Sequence, residues 1–531
     1  MNYGFFNKTP DHALNICNAL EYLKANNINS LEFDKGVYEI YPDMASEGVY
    51  CTSNHGFNGY KRIAFLIKDM KNLTVDGGGS EFIFNGIINP FIVDGSGNIT
   101  IKNLKVFTPK VFTATAEIIS INGDSFDIKL PDDSDYYIDG SKLYFGTPLI
   151  WNFPLAYIIE VNNDKLHLEE KTADYFLNND DTAAELEKGI VRLKFPRRQM
   201  PKPGNKIILC CRARNAPAFM LQKSSNILIE DVTVYSALGM GVLAQKCENI
   251  HINRFKTECK KDRYVSLNAD ATHFVHCKGY VKVTNSSFMG QLDDALNVHG
   301  VYTKIISKDK NSVTVKYMHH QAKGLDIYEK GSKINITDPV SLIVKDSFTV
   351  KDVKVINIDT TVLILDKSTE NITVGDDAED ITYSPEVIFD NNRVFYNRAR
   401  GILLGARGKT VISNNYFNSA GAAILFESNG NFWYESGAVL DVEIKNNTFD
   451  NCRYCNWCNG VIEVCPKGKY EDGKYFHGKI SVTDNVFKDT NYPLFIADNS
   501  ENIIFKNNKT ENCTAEKLIT VNHCKNVESD I

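Results

Sequence analysis

The chain has 531 residues, an ordinary globular composition with abundant Asn and Gly, and a formal net charge of −7. Its length suffices for more than one ordinary domain, although a repetitive solenoid has no single-core size limit. The charge balance lacks the basic surface of a nucleic-acid-binding protein and disfavours a polyanionic substrate, so neutral or cationic ligands fit the chain better.

The N-terminal region predicts a short helix and no export signal. Residues 1–8 lack a charged segment followed by an apolar run, and no apolar stretch approaches the ~20 residues that span a membrane as a helix. We therefore expect a cytoplasmic protein without membrane contact, or a secreted one if the sequence is a processed or trimmed form. Residues 11–23 predict a helix that covers the open end of a solenoid.

Short strand patterns recur along the chain with a period of about 23 residues. Residues 218–229 and 241–252 each contain an apolar strand, a turn and a second strand. Asn, Asp and Gly close these units, because such residues tolerate left-handed backbone and form local hydrogen bonds. Asn-Asn pairs in the later units predict ladders of stacked turns. The pattern predicts an all-β fold, a right-handed parallel β-helix whose coils stack at roughly 4.8 Å.

Two segments interrupt this rhythm with alternating strands joined by hairpin-type turns such as Asn122-Gly123. They predict two inserted small antiparallel β-barrel subdomains, at residues 106–210 and 302–385. The β-helix then comprises residues 1–105, 211–301 and 386–531. Since the second insertion follows His299-Gly300 directly, we expect it to form a wall of the same groove.

Adjacent carboxylates at Asp293 and Asp294, followed by an amide and an imidazole, indicate acid/base chemistry more than packing. Asp270 lies about one coil upstream, so we expect the three carboxylates to share one patch. Strand alternation places Asp293, Ala295, Asn297 and His299 toward the groove, and Asp294, Leu296 and Val298 toward the core. Asp294 must then turn out at a bend or be buried with partners.

The chain has thirteen cysteines, and the group Cys452, Cys455, Cys458 and Cys465 has a spacing that could hold zinc or an iron–sulfur cluster. The intervals also fit side chains stacked along a coil, where a free cysteine behaves as a small hydrophobe. Reduced cysteines in a cytoplasmic protein are the simpler interpretation. We therefore expect neither a metal nor a cofactor.

Six motifs together resemble glycoside hydrolase family 110. They lie at residues 32–38, 52–55, 268–273, 291–300, 397–401 and 433–437. The resemblance implies an exo-acting α-1,3-galactosidase on a β-helix with two inserted barrels. It also implies inverting hydrolysis of terminal α-1,3-linked galactose without a metal, on the blood group B determinant or on linear Galα1-3Gal. By resemblance Asp293 is the general acid, and Asp270 and Asp294 remain alternative candidates for the base.

Inverting hydrolysis needs a protonated acid at the leaving oxygen and a carboxylate that activates water. Clustered carboxylates cannot all ionise cheaply, so one keeps its proton near neutral pH. We predict that Asp293 carries this raised pKa.

Further polar and aromatic side chains are candidates for galactose binding, because the sugar offers an apolar patch to aromatic rings and hydroxyls to charged groups and amides. These candidates are His299, Asn297, His273, Gln291, Arg398, Arg400, Glu427, Trp433 and Glu435. Structural roles remain open for several of them: the arginines could pair with acids across coils, His273 could be a satisfied turn residue, and Trp433 could pack a loop.

Two other functions fit the same fold. A polygalacturonase-like hydrolase or a uronate lyase would act on anionic polymers and would need a cleft lined by Lys and Arg. A non-catalytic glycan-binding β-helix would have no need for three acids in one patch. The expected partner is a galactose-terminated oligosaccharide or glycan, with no nucleic acid. The sequence leaves open the preference for branched or linear galactosides and whether the chain forms a homo-oligomer.

Overall fold

The computed structural model describes residues 10–56, 58–146, 152–165, 167–196, 199–260 and 263–531. Most of the chain winds into a parallel β-helix, in which successive coils pair along three ladders. In one ladder Ile227 pairs with Ile250, and Ile250 pairs with Val281. The other two run through the strand pairs Thr233/Lys256 and Phe219/Val242. The predicted all-β parallel β-helix is therefore confirmed.

The β-helix strands fall into three groups along the chain. The first group is Ser30–Glu32, Val37–Ile40, Ser46–Tyr50, Gly59–Lys68, Thr74–Phe84, Asn89–Asp94 and Gly97–Phe107. The second group is Phe219–Gln222, Ser225–Val234, Val242–Gln245, Glu248–Asn253, Lys256–Thr257, Thr272–Val275, Lys278–Thr284, Ser287–Met289 and Leu296–Asp309. The third group is Glu386–Asp390, Arg393–Phe395, Ile402–Leu404, Thr410–Ser413, Tyr416–Asn418, Ile424–Phe426, Glu435–Ser436, Asp441–Lys445, Thr448–Asp450, Ile462–Val464, His477–Thr483, Val486–Lys488, Phe495–Lys506, Lys509–Glu511 and Ile519–Ser529.

Asparagines hold the coils in register, as the Asn-Asn pairs predicted. Asn415 Nδ2 donates to Asn447 Oδ1 at 2.9 Å, Asn447 Nδ2 donates to Asn485 Oδ1 at 3.0 Å, and Asn485 Nδ2 donates to Asn508 Oδ1 at 3.0 Å. The preceding residue in each turn has left-handed backbone, for example Asn414 with a φ of 58°. Asn accepts this conformation because its side chain can bond locally.

Apolar strand residues point into one continuous core, where aromatic rings stack from coil to coil. The ring centroids of Phe417 and Phe449 are 5.3 Å apart, and those of Phe449 and Phe487 are 4.9 Å apart. Such stacks give neighbouring coils the same spacing on the inside that the backbone ladders impose at the strands.

The helix Ala13–Asn26 packs on the first coils through Ile16, Leu20 and Leu23, all buried. The sequence predicted this helix at residues 11–23, and the structure shifts it by two residues at its start and three at its end. Among the described residues, no helix has the length and apolar character needed to cross a membrane.

Both interruptions of the coil rhythm form antiparallel sheets with their own apolar cores. The first insertion contains the strands Thr113–Asn122, Ser125–Lys129, Tyr136–Asp139, Lys142–Phe145, Phe153–Pro154, Tyr157–Asn162, His167–Leu168, Tyr175–Phe176, Thr182–Glu187, Ile190–Lys194 and Lys206–Cys210. The second contains Ser312–Lys316, Lys333–Thr337, Val344–Asn357, Thr360–Leu365, Asp377–Asp380 and the 3-10 turn His320–Ala322.

Strand pairing closes the second insertion into a barrel. The distal part of Leu296–Asp309 pairs with Ser312–Lys316 on one side and Asp377–Asp380 on the other, and the remaining strands complete the ring. Because Leu296–Asp309 begins in the β-helix, the same strand carries the chain from the acid-bearing turn into the barrel wall.

Candidate active site

Two stacked turns bring the three acids together. Asp293 and Asp294 lie in the turn before the strand Leu296–Asp309, and Asp270 lies in the equivalent turn one coil earlier. The Ala271 N–H donates to the Asp294 carbonyl oxygen at 2.8 Å, which fixes one turn on the other. As a result, one carboxylate oxygen from each acid lies within 4.8 Å of the other two. The predicted shared patch of carboxylates is confirmed.

The predicted alternation is wrong at the start of this segment. The strand begins at Leu296, so Asp293, Asp294 and Ala295 have turn geometry and do not alternate. Ala295 belongs to the apolar core together with Leu296 and Val298, whereas the sequence pattern placed it toward the groove.

Asp294 is fully buried and is paired with an arginine, as a buried carboxylate requires. Arg400 donates from Nε to Asp294 Oδ1 at 2.9 Å and from Nη2 to Oδ2 at 2.8 Å. Burial raises the pKa of Asp294, and the charges of Asp293 and Asp270 raise it further, while Arg400 opposes them. Since both oxygens already accept hydrogen bonds from Arg400, this pair anchors the turn.

Three guanidinium groups surround Asp293. Arg214 Nη2 donates to Asp293 Oδ2 at 3.0 Å, Arg400 Nη2 lies 3.6 Å from Oδ1, and Arg398 Nη1 lies 4.0 Å from Oδ2. Burial acts to raise the pKa of Asp293, but the combined charges of Arg400, Arg398 and Arg214 outweigh it, and the pKa lies below its ordinary value. The prediction that Asp293 carries the raised pKa is therefore wrong for the free protein.

The proton instead belongs to Asp270. His299 Nδ1 lies 2.6 Å from the Gly300 carbonyl oxygen, so this nitrogen must donate, and the other ring nitrogen of a neutral His299 accepts. His273 Nε2 lies 2.9 Å from His299 Nε2 and must therefore carry a proton. His273 Nδ1 is then a bare acceptor, 2.5 Å from Asp270 Oδ2. In this arrangement, with an uncharged His299, Asp270 is protonated and donates the last bond.

Burial supports the same assignment of protons. Desolvation lowers the pKa of His273 to about 3, so its ring is neutral near pH 7. Burial also raises the pKa of Asp270 well above its ordinary range, and the nearby Asp293 charge adds to this effect. The hydrogen bonds therefore indicate a carboxylic acid at Asp270 and a carboxylate among the arginines at Asp293. They also indicate a carboxylate at Asp294, because Arg400 donates to both of its oxygens although burial raises its pKa.

The predicted binding residues divide into those that border the acids and those that do not. Asn297 pairs in register with His273, and Gln291 is fully buried beside the turn. Within the described part of the chain, Asn297 Oδ1 and Gln291 Nε2 have no hydrogen-bond partner. Glu435 Oε1 lies 3.6 Å from His299 Nε2. Glu427, predicted to bind galactose, pairs with Lys467 at 3.1 Å, and no contact between described residues joins it to the acids.

Arg398 is held by the first insertion. Its Nε donates to Asp174 Oδ1 at 2.9 Å, its Nη2 also pairs with Asp174, and its guanidinium lies 4.6 Å from the centre of the Trp457 ring. Arg398 and Arg400 therefore both pair with acidic residues, which is the structural role that the sequence left open for them. Arg398 still reaches Asp293, so Asp174 fixes a charge that acts on the candidate acid.

Three side chains at this site were not predicted as site residues: Arg214, Asp174 and Asn54. Asn54 lies in one of the six motifs and donates to Glu435 Oε1 at 3.4 Å. Arg214 follows the point where the chain returns from the first insertion, and it contacts an acid 79 residues away. The only sequence signal for Arg214 was its place at an insertion boundary, beside the predicted groove.

The four cysteines of the predicted group have different surroundings. Cys452 packs in the apolar core of the coils, and Cys455 packs in a separate apolar cluster with residues of the first insertion. Cys465 Sγ accepts a hydrogen bond from Lys467 Nζ at 3.5 Å. Among the described residues, the acid patch is the group whose side chains could together approach a metal ion. Its negative charge is already balanced by the guanidinium groups of Arg214, Arg398 and Arg400.

Comparison with known proteins identifies both insertions. Residues 114–207 match the family model described as GLAA-B beta-barrel domain I, and residues 312–377 match GLAA-B beta-barrel domain II. These ranges lie within the predicted insertions at residues 106–210 and 302–385.

Several relatives match nearly the whole chain. Alpha-1,3-galactosidase A of Shewanella woodyi is 32% identical over 92% of this chain and 82% of its own length. Alpha-1,3-galactosidase B of Bacteroides thetaiotaomicron is 29% identical over 98% and 89%, and that of Phocaeicola vulgatus is 31% identical over 90% and 85%. Among solved structures, the A-module of mannuronan C-5 epimerase AlgE4 from Azotobacter vinelandii aligns over 98% of each chain with 9% identity and a TM-score of 0.43. On the strength of the first relatives, this chain belongs to the α-1,3-galactosidases of glycoside hydrolase family 110.

Proposed function

We propose that the protein is an exo-acting α-1,3-galactosidase that hydrolyses terminal α-1,3-linked galactose from oligosaccharides or glycans. The observation that carries this proposal is the patch of Asp270, Asp293 and Asp294. One oxygen from each lies within 4.8 Å of the others, and the pKa of Asp270 is raised while that of Asp293 is lowered. Titratable groups whose environments separate their pKa values are typical of acid/base pairs. The names of the relatives supply the substrate class.

We further propose that a single proton circulates within this cluster. Asp293 is partly exposed at the groove, with 16% of its side chain accessible, and is the carboxyl best placed to protonate the leaving oxygen. Transfer of the Asp270 proton to Asp293 creates an acid and a base in one step. Asp293 then protonates the leaving oxygen while Asp270 removes a proton from the attacking water, which restores the resting state. This cycle favours Asp270 over Asp294 as the base, because Arg400 occupies both oxygens of Asp294.

Inversion of the anomeric configuration is proposed from the family resemblance. The nearest carboxylate oxygens are within 4.8 Å of one another. Inverting pairs are usually separated by roughly 6.5–9.5 Å and retaining pairs by roughly 5–5.5 Å. The anomer of galactose that appears first decides between the two mechanisms.

Other finer features are also proposals. We propose a right-handed β-helix, because parallel crossovers almost always wind in this sense. We propose a neutral substrate, either linear Galα1-3Gal or the fucosylated blood group B type, because the chain is acidic and the groove carboxylate is already surrounded by arginines.

Leaving groups of different basicity test the assigned roles. We expect Asp293→Asn to lose nearly all activity on Galα1-3Gal but to keep a larger fraction on a dinitrophenyl α-galactoside, whose leaving group needs no proton. Asp270→Asn should lose activity on both substrates alike. Asp498→Asn, at a carboxylate on a late coil whose side chain is 41% exposed, is the matched control. The reverse pattern would exchange the two roles, and a wild-type protein that releases no galactose would refute the proposed function.

A further inference from the structure

An exposed group of aromatic rings is formed by the second insertion and the loop that precedes Glu435. Phe432 is 63% exposed and Trp433 is 42% exposed, and their rings meet edge to face at 5.1 Å. The His319 ring lies 4.9 Å from Trp433 and 6.4 Å from Phe432. Grouped exposed aromatic side chains indicate a binding surface, since a packing role would bury them.

Three parts of the chain bring these rings to the acids. The Asn54 N–H donates to the Gln321 carbonyl oxygen at 3.2 Å, which joins the β-helix to the 3-10 turn of the second insertion. Asn54 also donates to Glu435, two residues after Trp433, and Glu435 lies 3.6 Å from His299. Contacts through Glu435, His299 and His273 therefore link the loop that carries the rings to Asp270.

The loop that carries the rings is organised before any ligand binds. Asn429 Oδ1 accepts hydrogen bonds from the backbone N–H groups of Asn431, Phe432 and Trp433 at 3.1, 2.8 and 3.3 Å. A surface fixed in this way loses little conformational freedom when a ligand docks.

The group also offers an uncharged surface. Burial lowers the pKa of His319 to about 4, with added effects from His320 and His299, so its ring is neutral near pH 7. Uncharged ring faces suit a neutral sugar better than a uronate.

We propose that His319, Phe432 and Trp433 form a platform for the sugar ring that precedes the terminal galactose. This inference rests on the proposed function and deepens it. In this proposal, the second insertion and the loop at residues 429–436 together recognise the sugar that leaves when the terminal galactose is cleaved off. The acids hold the terminal galactose, and the platform selects an uncharged pyranose behind it.

The test separates the two sugar positions by kinetics. For Phe432→Ala and His319→Ala we expect the KM for Galα1-3Gal to rise about 5- to 10-fold, from the loss of one ring contact. The inhibition constant of free galactose, which fills only the terminal position, should stay within twofold. Phe432→Tyr keeps the ring and should restore the wild-type KM. Tyr22→Ala, at an exposed aromatic residue on the N-terminal helix, is the matched control.

Each outcome decides a different claim. An unchanged KM in both alanine variants, with normal turnover by the wild type, would overturn the platform alone. An equal rise in the galactose inhibition constant would also overturn it, because the rings would then serve the terminal sugar. Failure of the wild type to release galactose would overturn the proposed function and the platform together.

Discussion

Replacing Arg400 by glutamine would leave a fully buried carboxylate without its cation. Asp294 is 0% exposed, and Arg400 donates to both of its oxygens. Removal of one partner from such a buried pair costs about 3–5 kcal/mol, because the remaining charge stays desolvated. We expect the free energy of unfolding of Arg400→Gln to fall by about this amount near neutral pH.

The loss should depend on pH in a defined direction. Burial already raises the pKa of Asp294, and Arg400 opposes this rise, so the substitution would raise the pKa further. A carboxyl whose pKa is raised by folding contributes stability below its unfolded pKa and loses it as the pH rises through the folded value. The deficit of Arg400→Gln relative to the wild type should therefore shrink when the pH is lowered from about 7 to about 5.

Urea-induced unfolding followed by circular dichroism measures both effects. Arg254→Gln is the matched control, since Arg254 donates to both Asp231 oxygens at 2.6 and 2.7 Å and both side chains are exposed. Solvent screens such an exposed pair, so its removal should change the free energy of unfolding much less. Two results would show that Arg400 does not stabilise a buried charge on Asp294. One is an equal loss in the free energy of unfolding in the two variants, and the other is a deficit for Arg400→Gln that does not change with pH.

Three further predictions concern protons and packing. Nitrogen NMR of the imidazoles should show the proton of His273 on Nε2 and that of His299 on Nδ1; a proton on His273 Nδ1 would make Asp270 the acceptor and contradict its assignment as an acid. Burial lowers the pKa of four histidines to about 3: His55, His273, His276 and His477. In the unfolded chain these histidines bind protons near pH 6.5, so the free energy of unfolding should fall as the pH drops below that value. The expected loss is about 1.4 kcal/mol per histidine at about pH 5.5. An unchanged urea midpoint would contradict this prediction. Asn447→Ala should lower the free energy of unfolding by about 1–3 kcal/mol in urea titrations, because the backbone N–H of the neighbouring coil loses its buried acceptor, and a smaller loss than for an exposed Asn226→Ala variant would argue against the ladder.

The coil architecture could be predicted from the sequence because each coil repeats the same order of short strands and turns. Apolar strands and left-handed Asn turns recur at similar intervals, and stacking converts this period into the register seen between Asn415 and Asn447. The same stacking predicted that Asp270 would meet Asp293, since both residues precede equivalent strands of successive coils. In the coils, the local sequence pattern therefore also predicts which residues are in contact.

The electrostatics of the site could not be predicted in this way. The pKa of Asp293 is set by guanidinium groups whose positions depend on distant partners, such as Asp174, which lies 224 residues from Arg398 in the chain. A period in the sequence contains no information about contacts between an insertion and a coil. The predicted alternation of side chains before Leu296 was wrong for a related reason. Side chains alternate only within a strand, and this strand begins at Leu296.

Proton NMR of the wild-type protein with Galα1-3Gal and with the fucosylated B trisaccharide shows whether the enzyme releases terminal α-1,3-linked galactose and in which anomeric form. We expect release of galactose from at least one of them, with β-galactose as the first anomer to appear and the α-anomer only later through mutarotation. Initial α-galactose would contradict inversion while leaving the galactosidase activity in place. No release of galactose from either substrate would contradict the account itself.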